Sequence, residues 1–169
     1  MPKKIALAVI FAFVLSGCTS VLSTSVVQEA DDKISFPDLQ KQPDRYRGTV
    51  VILGGQIVET VVKENETWVQ VLQLPLGAQQ RPDNAAGSQG RFIVICKRFA
   101  DPLVYEKGRK ITVAGVVEGG RMIMLNERPY NFPVLLERET YLWKTEEVYP
   151  AYGPGPAFQF GIGVGTGRW

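Results

Sequence analysis

The chain has 169 residues, with 19 basic and 17 acidic side chains, two cysteines and no histidine. Without histidine, Ser-His-Asp and Cys-His catalysis lack their base and the usual zinc sites lack their ligands. A length of about one domain and 45% hydrophobic residues point to a single globular core.

Lys3 and Lys4 precede an apolar run over residues 5–15, which ends in the small residues Ser16 and Gly17 before Cys18. Positive charge, a short apolar stretch and small residues make a bacterial secretory signal of residues 1–17. A buried helix or a membrane span is the alternative, but the run is short of the roughly 20 apolar residues that a span needs. A Lys-Lys pair directly before the run also suits a core helix badly. Leu15-Ser16-Gly17-Cys18 resembles the lipobox of bacterial lipoproteins. That resemblance implies diacylation of the Cys18 thiol, cleavage before it and acylation of the new amine. The implied partners are membrane lipid, through acylated Cys18, and the machinery that processes and sorts lipoproteins. Thr19 stands where an Asp marks inner-membrane retention in the enteric sorting pattern this resembles, so the pattern implies the outer membrane.

Losing Lys3 and Lys4 with the signal leaves 17 basic and 17 acidic side chains. The mature chain is neutral and gains little from counterion release, so no nucleic-acid partner is expected. With Cys18 acylated, Cys96 is the remaining thiol and no intrachain disulfide can form.

Residues 18–33 are polar, without a clear period, and read as a flexible tether. A domain over residues 34–148 follows. Ser35 and Asp38 form a capping-box pattern that opens a short helix running to about Gln42. Pro43 to Gly48 is a brief helical turn with proline at its start and glycine at its end. Residues 49–60 alternate as a strand with Val51, Leu53, Gly55 and Ile57 inward, and Gly54-Gly55 predicts a bulge or bend. Residues 63–66 are the loop of a hairpin whose second strand is 67–73. The Asn65-Glu66-Thr67 glycosylation sequon is accidental in a chain with a bacterial lipobox. Residues 75–90 form a loop of a length that is uncommon unless functional or mobile. Residues 91–96 form a strand apolar on both faces, with Cys96 as a buried thiol.

Asp101-Pro102 opens a short helix that Gly108 stops, and a strand over 110–118 follows. Gly119-Gly120 predicts a tight hairpin into a strand over 121–125. A loop through Pro129 and Pro133 leads to residues 134–144, whose β-branched and aromatic content favours strand over helix. Residues 149–169, rich in proline, glycine and aromatics, read as a disordered tail. The alternative is an extended segment, Phe160 to Gly167, that associates with another chain or the membrane surface. The glycine spacing breaks at Thr166, and no strand-to-helix context makes it a nucleotide loop.

The segment Pro43-x-x-Tyr46-x-Gly48-x-x-Val51-x-Leu53-x-Gly55-x-Ile57 is echoed by Pro102-x-x-Tyr105-x-x-Gly108-x-x-Ile111-x-Val113-x-Gly115-x-Val117. Two copies are too few for a solenoid and fit two similar long strands of one barrel. Hairpins, bent strands with central glycines and a helix between the third and fourth strands predict a mainly β fold: a small OB-like Greek-key barrel with one or two short helices.

The lipobox, residues 43–51, Gly54 to Val58, Ser88 to Phe92, Asp101-Pro102 and Gly108 to Val113 together resemble the Slp family of starvation-inducible outer membrane lipoproteins. The resemblance runs to about Trp143 and on to the Tyr-Pro start of the tail. It implies an envelope protein of stress or stationary phase, and supplies no catalytic residue, metal or cofactor. The expected function is therefore a non-enzymatic outer membrane lipoprotein, acylated at Cys18, with its barrel facing the periplasm. An alternative is a glycan or peptidoglycan-fragment binding module, or a module for an envelope protein, using Trp68, Arg81 and Arg91 on the OB binding face. Trp68 as plain packing is the competing reading. A hydrolase would need two carboxylates about 5 to 9.5 Å apart, for which Glu118 and Glu127 are one candidate pair.

Overall fold

The computed structural model describes residues 20–85 and 87–144. The signal over 1–17, Cys18 and the tail over 149–169 lie outside the described residues.

Five strands, β1 (Val50–Val62), β2 (Thr67–Leu74), β3 (Arg91–Cys96), β4 (Lys110–Leu125) and β5 (Arg128–Leu142), close a barrel in the order β1-β2-β3-β5-β4. All neighbours are antiparallel except β3 and β5, which pair in parallel over Ile93–Ile95 and Val134–Leu136. This strand order is the Greek-key barrel of the OB fold, as the alternation and glycine placement predict. Two short helices precede the barrel: α1 (Thr24–Glu29) and α2 (Phe36–Lys41).

Helix α2 forms as its sequence dictates. The Ser35 side chain accepts from the Asp38 amide, and its hydroxyl donates to Asp38 Oδ2 at 2.5 Å. Phe36 and Leu39, three apart on one face, turn into the barrel, where Leu39 is fully buried and Phe36 lies 6.1 Å from the Phe92 ring. Helix α2 thereby joins the core of Val51, Leu53, Ile57, Val69, Val71, Val94, Ile111 and Val113. The inward Phe92, Val94 and Cys96 of β3 belong to this core. Its outward Ile93 and Ile95 form a second cluster with Phe132 and Val134, flanked by Trp68, Ile123 and Tyr130. A strand apolar on both faces is thus accounted for: the far half of the β4–β5 hairpin supplies the outer cover.

That hairpin corrects two expectations, and a third falls before it. Gly119-Gly120 is not a turn: β4 runs through it, with a register shift between Val117 and Gly119. Gly119 has φ +111, and a side chain there would overlap the carboxylate of Asp44 and the guanidinium of Arg47. The glycine lets the 3-10 turn Pro43–Tyr46 pack on a β-bulge. The reversal comes at Asn126, a residue tolerant of its φ of +55. Pro129 and Pro133 stand within β5 rather than in a loop, in the part beyond its pairing with β3, where β5 is an edge strand. The helix expected after Asp101 is a single turn, closed by the Val104 and Tyr105 amides donating to the Asp101 carbonyl.

In β1 the register shift falls between Ile57 and Glu59, past Gly54-Gly55. The two glycines serve close approach instead. A Cβ on Gly54 would lie 2.2 Å from Leu76, and one on Gly55 would lie 2.3 Å from the Leu72 carbonyl oxygen.

Residues 20–33 are the largest departure from expectation, because a tether has no fixed contacts and this segment has many. Leu22 is 4% exposed. The Ser23 amide and hydroxyl donate to the Glu139 carboxylate at 2.9 and 2.6 Å, Arg138 bridges Glu29 at 3.2 Å, and the Asp31 amide donates to the Val50 carbonyl at 2.9 Å. Helix α1 itself buries no side chain and has no side-chain cap. Its flanks hold it, and tertiary contact overrides weak local propensity.

Candidate functional site

Trp68 stands on β2 between Val61 of β1 and Ile95 of β3. Its indole NH donates to Glu66 Oε1 at 2.5 Å, and Lys97 Nζ lies 2.8 Å from Glu66 Oε2. The hydrogen bond from Lys97, followed by that from Trp68, holds the Glu66 carboxyl below its ordinary range. Two cations lie over the indole: Lys63 Nζ at 3.1 Å from a ring centroid and the Arg121 guanidinium at 4.3 Å. Each such contact stabilises by about 0.5–1 kcal/mol at an exposed site. Beside the ring is a pocket of about 250 Å³, walled by Val61, Trp68, Ile93 and Ile123 with Lys63, Glu59 and Gln70 at its edge. It is apolar with a charged rim, suited to an amphipathic ligand that carries an anionic group.

The three residues expected on one binding face do not converge. Arg91 pairs with Leu72, four residues along β2 from Trp68, which is about 13 Å of strand. Arg81 lies over Trp143, its guanidinium 5.2 Å from the ring, at a different place on the barrel. Lys63, Arg121 and Ile123 are the neighbours of Trp68 that sequence reasoning missed. Lys63 was within reach as part of the adjoining hairpin loop. Arg121 and Ile123 were not, because they depend on the β4–β5 hairpin being longer than its glycines suggest.

Arg81 belongs to a second pocket, of about 170 Å³, with Arg109, Lys110, Lys144, Gln56 and Asn84. Arg109 Nε donates to the Trp143 carbonyl at 3.0 Å and its NH1 to the Val104 carbonyl at 2.8 Å. The indole NH of Trp143 donates to Thr112 Oγ1 at 2.9 Å, and that hydroxyl donates to the Gln80 carbonyl at 2.7 Å. Ser20 Oγ donates to Gln80 Oε1 at 2.7 Å. One hydrogen-bonded chain therefore links Trp143, the residue after β5, with β4, the long loop and the N-terminal segment. Gln79 and Gln80 adopt φ of +54 and +60, a strained pair that these contacts hold in place.

The carboxylate pair Glu118 and Glu127 does not assemble. Glu118 is at the β4 bulge and Glu127 follows the far end of the strand, about 20 Å or more away. Cys96, fully buried at the end of β3, has its thiol pushed up to about 12, by burial first and then by the charge of Glu137. It is inert as a nucleophile at neutral pH. Among the described residues no cluster of three or more acids or cysteines could hold a metal ion.

The outer membrane lipoprotein Slp family model matches residues 15–164. The outer membrane protein Slp of Escherichia coli K12 is 27% identical over 167 residues, covering 92% of this chain and 88% of that protein. An uncharacterized protein of Haemophilus influenzae is 30% identical over 138 residues, covering 81% of this chain and 74% of its own length. Among solved structures, the mitochondrial single-stranded DNA binding protein Rim1 of S. cerevisiae is 13% identical, covering 56% of this chain and 94% of that one, with a TM-score of 0.37. With the family match spanning the lipobox and the whole barrel, this chain belongs to the outer membrane lipoprotein Slp family.

Proposed function

We propose that this protein is a non-enzymatic lipoprotein of the outer membrane, acylated at Cys18, whose barrel faces the periplasm in an envelope or stress-related role. The observation that carries the reading is that the family match begins at residue 15, so Leu15-Ser16-Gly17-Cys18 lies inside it. The folded N-terminal segment supports it, because the chain bonds to the barrel from Ser20 onward, two residues after Cys18 in sequence. Several acyl chains on one residue anchor firmly, each buried methylene adding about 0.8 kcal/mol. In cells expressing Cys18→Ser, the protein leaves the outer membrane fraction, and mass spectrometry of the wild type finds the acylated N-terminal peptide. Outer membrane fractionation of the variant at the wild-type level would refute the anchor.

The pocket beside Trp68 favours a second reading, a module that binds peptidoglycan fragments. Its apolar wall and the cations Lys63 and Arg121 suit a sugar ring carrying carboxylates. Titration with muropeptides should shift Trp68 emission saturably; an unchanged spectrum removes the reading.

A further inference from the structure

The far half of the β4–β5 hairpin has one blunted edge and one open edge. Gly120 pairs with Pro133, and Met124 with Pro129. Proline has no amide hydrogen, so in these pairs the backbone groups turn away from the shared ladder, and Met122 with Asn131, midway between them, has the same phase. The two-residue turn Asn126-Glu127 gives that phase independently, with Leu125 and Arg128 as the bonded closing pair. On β5, Pro129 and Pro133 therefore remove outward donors, a common protection of edge strands. On β4, the Gly120 amide is taken by Asp44 Oδ1 at 3.3 Å. Past that point β1 no longer runs alongside, since its ladder with β4 ends at Val50 and Val116. The outward backbone groups of Met122 and Met124 meet no partner among the described residues. Their side chains are 65% and 60% exposed, on the face opposite Ile123.

We propose that this open edge takes the segment Phe158 to Val164 of the same chain as an added strand. Past Pro156 every residue has an amide to donate, and residues 148–167 carry no charge. Phe158, Phe160, Ile162 and Val164 alternate with Gln159, Gly161, Gly163 and Gly165, the pattern of a strand with one apolar face and one nearly bare face. Its glycines disfavour such a strand alone, and a ready edge supplies the template. The apolar face then covers Met122 and Met124. Chain length sets the direction. Lys144 lies two residues past Leu142, which pairs with Ile111, and about 36 Å of β4 separates Ile111 from Met122. Residues 145–157 reach at most about 46 Å, enough to enter beside Gly120 with slack, whereas entry from the hairpin tip needs them fully stretched. The added strand therefore runs parallel to β4.

Amide exchange by NMR on the full-length protein and on its Phe160→Asp, Ile162→Asp double variant, which alters no barrel residue, tests this. The Met122 and Met124 amides should exchange several-fold more slowly in the wild type, and the Ile123 amide, which faces β5, equally in both. With methyl-labelled methionine, the Met122 and Met124 signals should be shielded from a soluble paramagnetic probe in the wild type alone. Equal exchange and equal shielding in the two proteins overturn the proposal, as they would if the tail lay in solvent or on a membrane. Met124→Cys combined with Ile162→Cys then identifies the chain. Mild oxidation at micromolar protein should close a disulfide within one molecule, and disulfides formed only between molecules overturn the same-chain assignment.

Discussion

Gly48 and Gly108 are counterparts across the barrel's longest internal correspondence. The Gly48 amide donates to the Val117 carbonyl at 2.9 Å, and the Gly108 amide donates to the Ile57 carbonyl at 2.8 Å. The Val117 and Ile57 amides return the bond, to Thr49 and Arg109, each at 2.9 Å. Both glycines have positive φ, +80 and +92, and each ends a proline-led turn. The sequence echo is therefore a local two-fold axis between β1 and β4, with Val51 opposite Gly115 and Gly55 opposite Ile111.

The symmetry yields an ordered prediction. Gly55→Ala places a Cβ 2.3 Å from the Leu72 carbonyl oxygen, whereas at Gly115 the nearest atom is the Leu136 carbonyl oxygen at 2.8 Å. Overpacking of this kind costs about 1–3 kcal/mol, with Gly55→Ala at or above the upper end. Thermal denaturation should rank Gly55→Ala below Gly115→Ala and both below wild type.

Leu22 is the pin of the N-terminal segment. Leu22→Ala removes a buried side chain and should cost about 2 kcal/mol. Limited proteolysis should then cut within residues 20–33 before the barrel, while wild type resists there.

Cys96 links burial to alkaline stability. Its thiol titrates at about 12 in the fold against 9.0 for an ordinary thiol, so the unfolded chain releases that proton first. Stability from this group is complete below pH 9 and falls as pH rises from about 9 toward 12. Glu137 adds to the upward shift, and its side chain is 8% exposed, held by Arg98 at 2.7 Å and Thr140 at 2.6 Å. Glu137→Gln should lower the thiol's titration point. It should also cost about 1 kcal/mol or less, since Arg98 is more than half exposed and water replaces the lost carboxylate. Native-state thiol titration by absorbance and chemical denaturation measure the two effects.

Trp68 separates packing from charge. Trp68→Ala opens the second cluster at Ile93 and Ile123 and should cost about 2–3 kcal/mol. Lys63→Met and Arg121→Met should each cost under about 1 kcal/mol and shift the indole emission. Equal losses for all three would mean that the cations, not the apolar contacts, hold the ring.

What the sequence made legible follows from how local each cause is. Ser35, Asp38 and Pro43 set their turns through neighbouring backbone, and alternation in residues 49–60, 67–73 and 91–96 marks strands by burial. The β4–β5 hairpin was misread because glycine serves both turns and bulges. Only the approach of Asp44 and Arg47 decides that Gly119 is a bulge. Pro129 and Pro133 looked like loop residues because their tolerance depends on β3 ending its pairing at Val134. The N-terminal segment gave no signal, since Glu139, Arg138 and Val50 hold it from far along the chain. For the same reason Trp68 and Arg81 were each legible as interesting, but their separation was not.

Bonding residues 20–33 to the barrel also sets the protein's reach. An acyl group on Cys18 would stand two residues before Ser20, a separation of at most about 7 Å. A barrel so anchored would search the plane of the membrane, not the depth of the compartment beyond it. A partner resident in the same leaflet meets it by lateral diffusion at a fixed height, and a polymer set further out has to come to it.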